Sequence, residues 1–176
     1  GRQRFGGLRA PALGREARRE AALRVAPFLR RLVSRERRAI LHFDDSPEVL
    51  EFAGSTEAAT LSQVGPATPD HTIYTKRLAC FVPVDHPADP DRVKAVLQDA
   101  VKRFTADYTA YFEANCFEGA KLVDPFPRVI LIPGLGIFTT GKDARTAGIV
   151  ADIYHHTISV LGAAAALGRY LSLTPK

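Results

Sequence analysis

Methionine is absent from the 176 residues, cysteine occurs only twice, and no apolar run approaches the roughly 18 residues of a helical membrane span. The missing methionine, with Gly1 at the start, gives the expectation of a piece cut from a longer polypeptide. Cys80 and Cys116 lie far apart and form no C-x-x-C, so free thiols are expected and neither a disulfide framework nor a cysteine metal site. The N-terminus, GRQRFGGLRAP, has no apolar signal region, and the expectation is a cytoplasmic protein with no membrane partner.

Recognisable metal and nucleotide motifs are lacking as well. None of the five histidines forms H-x-H or H-x-x-x-H. His155 and His156 are neighbours on an expected helix and diverge by about 100°, and Asp152, one turn before His156, is placed for an ion pair. Only folding could join His42, His71 and an aspartate into a metal site, so none is expected. The segment from Gly136 to Lys142 comes close to a P-loop, but Asp143 stands where a Ser or Thr hydroxyl would meet magnesium. Gly134-Leu-Gly136 does not extend to a dinucleotide fingerprint, because the third glycine comes five residues later, at Gly141.

What is present describes a folded α/β protein, with 46% apolar and 24% charged residues. The net charge of +5 is local: residues 1–38 hold twelve Arg against three Glu, whereas residues 39–176 hold twelve Lys and Arg against sixteen Asp and Glu. Residues 1–13, rich in Gly, Arg and Pro, read as a linker. Arg15 to Arg38 reads as a basic helical arm that docks through Val25, Phe28, Leu29 and Leu32, with Pro27 kinking or restarting it. Its aromatics, Phe5 and Phe28, are too few to interleave with the arginines as base-stacking would require, so nucleic acid is not an expected partner. The division is a basic linker and arm at 1–38 and an α/β module at 39–176.

The module is organised around residues 128–161. Val129 to Ile132 is short, apolar and bounded by Pro133 and Gly134, which predicts a strand buried on both faces. A glycine-marked loop should follow, then a helix starting near Lys142, with Thr140 and Asp143 as a capping box. Upstream, Ala39 to Phe43 predicts a strand ending at Asp44-Asp45. Ser46 and Pro47 open a helix over Glu48 to Phe52 that Gly54 closes. Residues 65–76 read as a loop stiffened by two prolines, Leu78 to Val84 as a strand, and Asp91 onward as a helix of about 25 residues with one apolar face. A mixed sheet flanked by long helices in three layers is the expected fold.

The candidate ligand-binding residues are Asp44, Asp45, Asp70, His71, Lys76 and Lys142. Two adjacent carboxylates after a strand suit a cation or a hydroxyl, but complementing the dipole of the following helix is the preferred reading. The 65–76 loop presents an acid, an imidazole and an amine that suit an anionic or polyhydroxylated ligand, and the preferred alternative is a buried, hydrogen-bonded connection. Ligands of open α/β sheets gather at the carboxyl ends of strands, so the first five are expected near one sheet edge.

Three stretches, AILHFDDSPEVLEFAGS at 39–55, GPATPDHTIYTKR at 65–77 and PRVILIPGLGIFTTGKD at 127–143, resemble the middle segment of bifunctional rhamnulose-1-phosphate aldolase/short-chain dehydrogenase proteins. The resemblance implies a zinc-dependent class II aldolase/adducin-type region before this segment and an NAD-dependent dehydrogenase after it. It further implies rhamnose catabolism in the bacterial cytoplasm, a sugar phosphate as ligand and the other domains as partners, with a homo-oligomer possible. LIPGLGIFTTGKDARTAGIVADIYHH is also similar to the end of a class II aldolase domain, with Gly136, Gly141 and Lys142 matching its pattern. The metal-binding His of that pattern falls at Leu135, which cannot coordinate zinc. The expectation is a segment without cofactor of its own, structural or site-completing within an aldolase; the alternative is an independent, non-catalytic binding or assembly module.

Overall fold

The computed structural model describes residues 4–34, 38–66, 68–122, 124–168 and 170–172. Four strands form one sheet in the order β1-β4-β3-β2, with β1 at Ile40–Asp44, β2 at Cys80–Phe81, β3 at Val129–Ile132 and β4 at Gly136–Gly141. β4 runs antiparallel to both β1 and β3, whereas β2 lies parallel to β3, so the sheet is mixed.

Alternation along β3 builds the layers. Ile130 and Ile132 point to one face, where α1 (Arg15–Leu32) and α5 (Pro90–Asn115) cover them with Val25, Leu29, Val93 and Leu97. Val129 and Leu131 point to the other, where α2 (Pro47–Ala53) and α6 (Ala144–Leu167) contribute Val49, Phe52, Tyr154, Ile158 and Leu161. All four β3 residues are fully buried, as a strand sandwiched between helical layers must be. α6 is the one helix among the described residues apolar and long enough to cross a bilayer, and here it lays its apolar face on the sheet.

The basic arm is a continuous helix through Pro27, docked by fully buried Val25 and Leu29 with Phe28 and Leu32 half-buried beside them. Arg15, Arg19, Arg24, Arg30, Arg31 and Arg38 stay exposed, while residues 35–37 of the expected arm lie outside the described residues. α5 begins at Pro90, one residue before the expected start, because Asp89 accepts from the backbone N–H groups of Asp91 and Arg92.

Four local expectations are corrected. Residues 136–141 form strand β4 instead of a loop: Gly134, at φ +75°, turns the chain so tightly that β3 and β4 make a hairpin. Residues 69–75 form a short helix, α4, because Pro69 occupies its first turn, where a proline's missing N–H costs nothing. The strand expected at 78–84 shrinks to Cys80–Phe81, since Pro83 has no N–H to continue a ladder. From residue 4 the presumed linker is packed: Phe5 is fully buried with its ring edge against Phe52 at 5.0 Å, and Leu8 bridges to Ser55. A short α3 (Ala58–Leu61) completes the elements.

Candidate functional site

The end of β1 separates its two carboxylates. Because successive strand residues face opposite ways, Asp44 turns to the α6 layer and Asp45 to the α1 layer, where Arg18 holds it at 2.9 Å. They cannot share one cation, which corrects that expectation. Ser46 occupies the N-cap of α2 without a side-chain cap bond, and Asp44 Oδ1 accepts the Ser46 backbone N–H at 2.8 Å instead.

Beneath α6, Asp44 Oδ2 bonds to His155 Nε2, whose other nitrogen stands 3.7 Å from Glu48 Oε2. Glu48 in turn accepts from Arg4 at 2.9 Å and from Ser159 at 3.1 Å, and Arg4 reaches Glu51 at 3.2 Å. The chain of charges ties α6, α2, β1 and the N-terminal segment together. His155 Nε2 is bonded to Asp44 and its Nδ1 faces Glu48 at 3.7 Å, so the imidazole stands between two carboxylates. This is an interlock.

Its charge state responds to acid. Burial pushes the Asp44 carboxyl up, but the Ser46 N–H, the His155 hydrogen bond and the His155 charge outweigh it and hold it below the usual 3.8. Glu48 is likewise held down, chiefly by its hydrogen bond from Arg4. A folded value below the unfolded one means that the stabilisation is complete above the ordinary carboxylate range and is lost as pH falls through the folded value. In acid unfolding followed by circular dichroism, His155→Gln should therefore move the acid midpoint upward and lower stability at neutral pH; an unchanged acid limb would refute the bridge.

The other candidates lie apart. His71 is on α4, where its ring stacks on His156 at 5.7 Å and its Nδ1 meets Thr68 Oγ1 at 2.9 Å. His156 thus faces His71, and the ion pair expected with Asp152 is not formed among the described residues. Asp70 is also on α4, with its side chain outside the described part. Lys142 is exposed past the end of β4, and the helix it should open begins instead at Ala144, capped by Asp143, which accepts from Thr146 N–H at 2.7 Å. Thr140 is not in a capping box: it lies inside β4 and donates to the Pro127 carbonyl.

Lys76 is at the opposite sheet edge from Asp44. It caps α4 at φ +60° and ψ 178°, a conformation that costs a non-glycine residue on the order of 1–3 kcal/mol. Only 7% exposed, it donates its Nζ to the Asp124 carbonyl and lies 3.9 Å over the Tyr108 ring. Burial pushes its amine down to about 7, with the Asp124 charge opposing that and the Arg128 charge adding to it. Next to it, between α3 and α5 at the open side of β2, is a cavity of about 300 Å³ lined by Gln63, Arg77, Phe81, Arg103, Tyr108 and Tyr111, among others. Asp45, His71 and Lys76 therefore do not converge. Asp45 pairs with α1 on one face of the sheet, His71 packs on α6 over the other, and Lys76 lies at the far edge.

Among the described residues no three or more His, Cys, Asp or Glu side chains gather to hold a metal ion, and Leu135 is fully buried in the β3–β4 turn. Both cysteines are free, and burial pushes the Cys80 thiol up to about 12, which suits an inert core residue. Sequence reasoning missed His155, Glu48 and Arg4 because their pairings span 44 to 111 residues. Tyr108 escaped it by lying in the helix from Asp91, whose apolar face reads as core.

A three-layer α/β unit with an aldolase-like strand, glycine hairpin and long helix defines the class, and the chain belongs to the family described as "Aldolase class II, second domain", whose model matches residues 20–176. It is similar to the uncharacterized oxidoreductase YuxG of Bacillus subtilis (strain 168), 37% identical over 170 residues, covering 96% of this chain. The chain spans 25% of that relative's length. No solved structure matches it.

Proposed function

We propose that the chain is a segment of a bacterial sugar-phosphate aldolase/dehydrogenase of the rhamnulose-1-phosphate type, acting as the second aldolase domain without a metal centre of its own. The observation that carries this reading is the asymmetry of coverage: almost the whole chain aligns with one quarter of a protein named as an oxidoreductase, within a class II aldolase family. The buried Leu135 supports it, because an apolar side chain replaces the coordinating one where the glycine pattern of the aldolase hairpin persists. Its contribution is to buttress or complete a sugar-phosphate site whose metal ligands belong to the preceding region, with the nicotinamide chemistry in the following one. Its partners are those other domains, in the bacterial cytoplasm.

The test is a retro-aldol assay on rhamnulose 1-phosphate with zinc analysis, on this chain and on a polypeptide that joins it to a class II aldolase first domain. The joined protein should retain zinc and cleave the substrate, and this chain alone should do neither. One tightly held zinc per isolated chain, lost in His71→Ala, would overturn the reading, as would full activity of the first domain without this segment.

A further inference from the structure

Strand β2 lies at the edge of the sheet, and one of its residues turns its backbone to open space. In the parallel pairing with β3, the Val82 N–H donates to the Leu131 carbonyl at 2.9 Å. Backbone groups of successive strand residues point to alternate sides, so Cys80 and Val82 face β3 while the N–H and C=O of Phe81 point outward. Residue 79 also faces outward but is closed: the Ala79 N–H donates to the Ser62 carbonyl at 3.3 Å, and the Ala79 carbonyl accepts from Gln63 Nε2 at 2.9 Å. On the other side Pro83 has no N–H to offer. The edge is therefore too short to seat a further strand. It presents one donor beside one acceptor, with no partner for either among the described residues.

On the side to which these two groups point is the cavity of about 300 Å³ between α3 and α5, which Phe81 lines. A flat group that continued the sheet from Phe81 would have α5 over one face and Ala59 of α3 over the other, since Phe104 packs with the α1 and α5 layer and Leu61 with the α2 and α6 layer. The α5 wall is aromatic: Phe104 and Tyr108, one turn apart, hold their rings within 7° of parallel at 6.1 Å. Two cations and one acid complete the lining. Arg77 lies over Tyr111 at 4.9 Å, and Arg103 and Asp107 are exposed one turn apart on α5, forming no ion pair with each other or with any other charge among the described residues. These groups match a planar ring whose edge carries an acceptor beside a donor, with negative charge for the guanidinium groups and hydroxyls for the carboxylate.

We propose that this cavity binds an adenine nucleotide. Adenine carries a ring-nitrogen acceptor next to its exocyclic amino donor, the complement of the Phe81 N–H and C=O. The base continues the plane of the sheet and stacks on Phe104 and Tyr108, as bases do on aromatic platforms. Arg77 and Arg103 hold the phosphate, whose oxygens suit the planar guanidinium fork, and Asp107 accepts from the ribose hydroxyls, which gives the one carboxylate of the lining a role. The inference stands on the β2 edge and its cavity and does not depend on the role proposed above for the whole chain.

The experiment is calorimetric titration of the folded chain with AMP, compared with IMP, adenosine, adenine, inorganic phosphate and L-phenylalanine. AMP should bind saturably at one site per chain. IMP, in which an acceptor oxygen replaces the amino donor, should bind about tenfold more weakly, the effect of opposing two acceptors where a hydrogen bond was made. Arg103→Ala should weaken AMP about tenfold, the effect of one lost charged hydrogen bond, and leave adenosine unchanged. Asp107→Ala should weaken AMP and adenosine alike and leave adenine unchanged. Both substitutions are at exposed positions, and circular dichroism should show the fold intact. No saturable AMP binding at millimolar concentration, equal binding of AMP and IMP, or AMP binding that neither substitution changes would overturn the proposal. So would inorganic phosphate or L-phenylalanine binding as tightly as AMP, because the first needs only the arginines and the second would satisfy the arginines and Asp107 without a base.

Discussion

Gly136→Ala is expected to be among the most damaging single-methyl changes in this protein, costing on the order of 4 kcal/mol. Gly136 opens β4 at φ +136°, which side chains rarely adopt, and a Cβ there would stand 2.5 Å from the Asp44 backbone carbonyl. Neither obstacle can relax cheaply. The carbonyl belongs to the neighbouring strand, paired at Asp44↔Ile137, and the hairpin on the other side is pinned by Leu135, which is fully buried. Against a total stability of about 5–15 kcal/mol, such a loss should lower the urea midpoint by about a quarter or more. A variant with an unchanged midpoint would mean that β1 and β4 do not approach as described.

The second large effect is expected at Phe5, in a segment whose composition suggests a tether. Phe5 is fully buried between α2 and α6, edge-on to Phe52, with Arg4 ion-paired to Glu48 and Glu51 beside it. Phe5→Ala should cost about 3–5 kcal/mol, because the ring leaves a cavity that fixed helices cannot close. Arg4→Ala should cost far less, since its pairs are about a third exposed and screened. Equal, small losses for both variants in chemical denaturation would show that the segment is only laid on the surface.

These two positions mark how far the sequence could be read. A glycine at 136 is visible in the sequence as punctuation after a strand; what it does in the fold is let two strands come close. Loop and hairpin use the same residue types, and the register against β1, 92 or more residues away in the chain, decides between them. Phe5 carries no periodicity to announce it, since one apolar residue among glycines and arginines has no neighbours at helical or strand spacing.

The candidate site shows the same division. Residue type and position mark Asp44, Asp45 and Lys76 as candidates, but their grouping depends on the face that each takes. One residue of difference along β1 sent Asp44 to His155 and Asp45 to Arg18, on opposite sides of the sheet. The spacing of His155 and His156 implies that they diverge, but that each finds a separate partner, Asp44 and His71, is not contained in it.

The sequence by itself determined the elements that carry their own signal. These are the β3 core strand, from its unbroken apolar run; α5 and the docking stripe of α1, from apolar residues repeating every three or four; and the membership implied by three quoted stretches. Such features rest on interactions among near neighbours or on simple burial, both of which a linear pattern records. Tertiary structure alone decided the β4 hairpin, the packing of Phe5, the Asp44–His155–Glu48 bridge and the burial of Lys76 against Tyr108. Each depends on contacts between residues far apart in the chain, whose distances are set by how the helical layers close over the sheet.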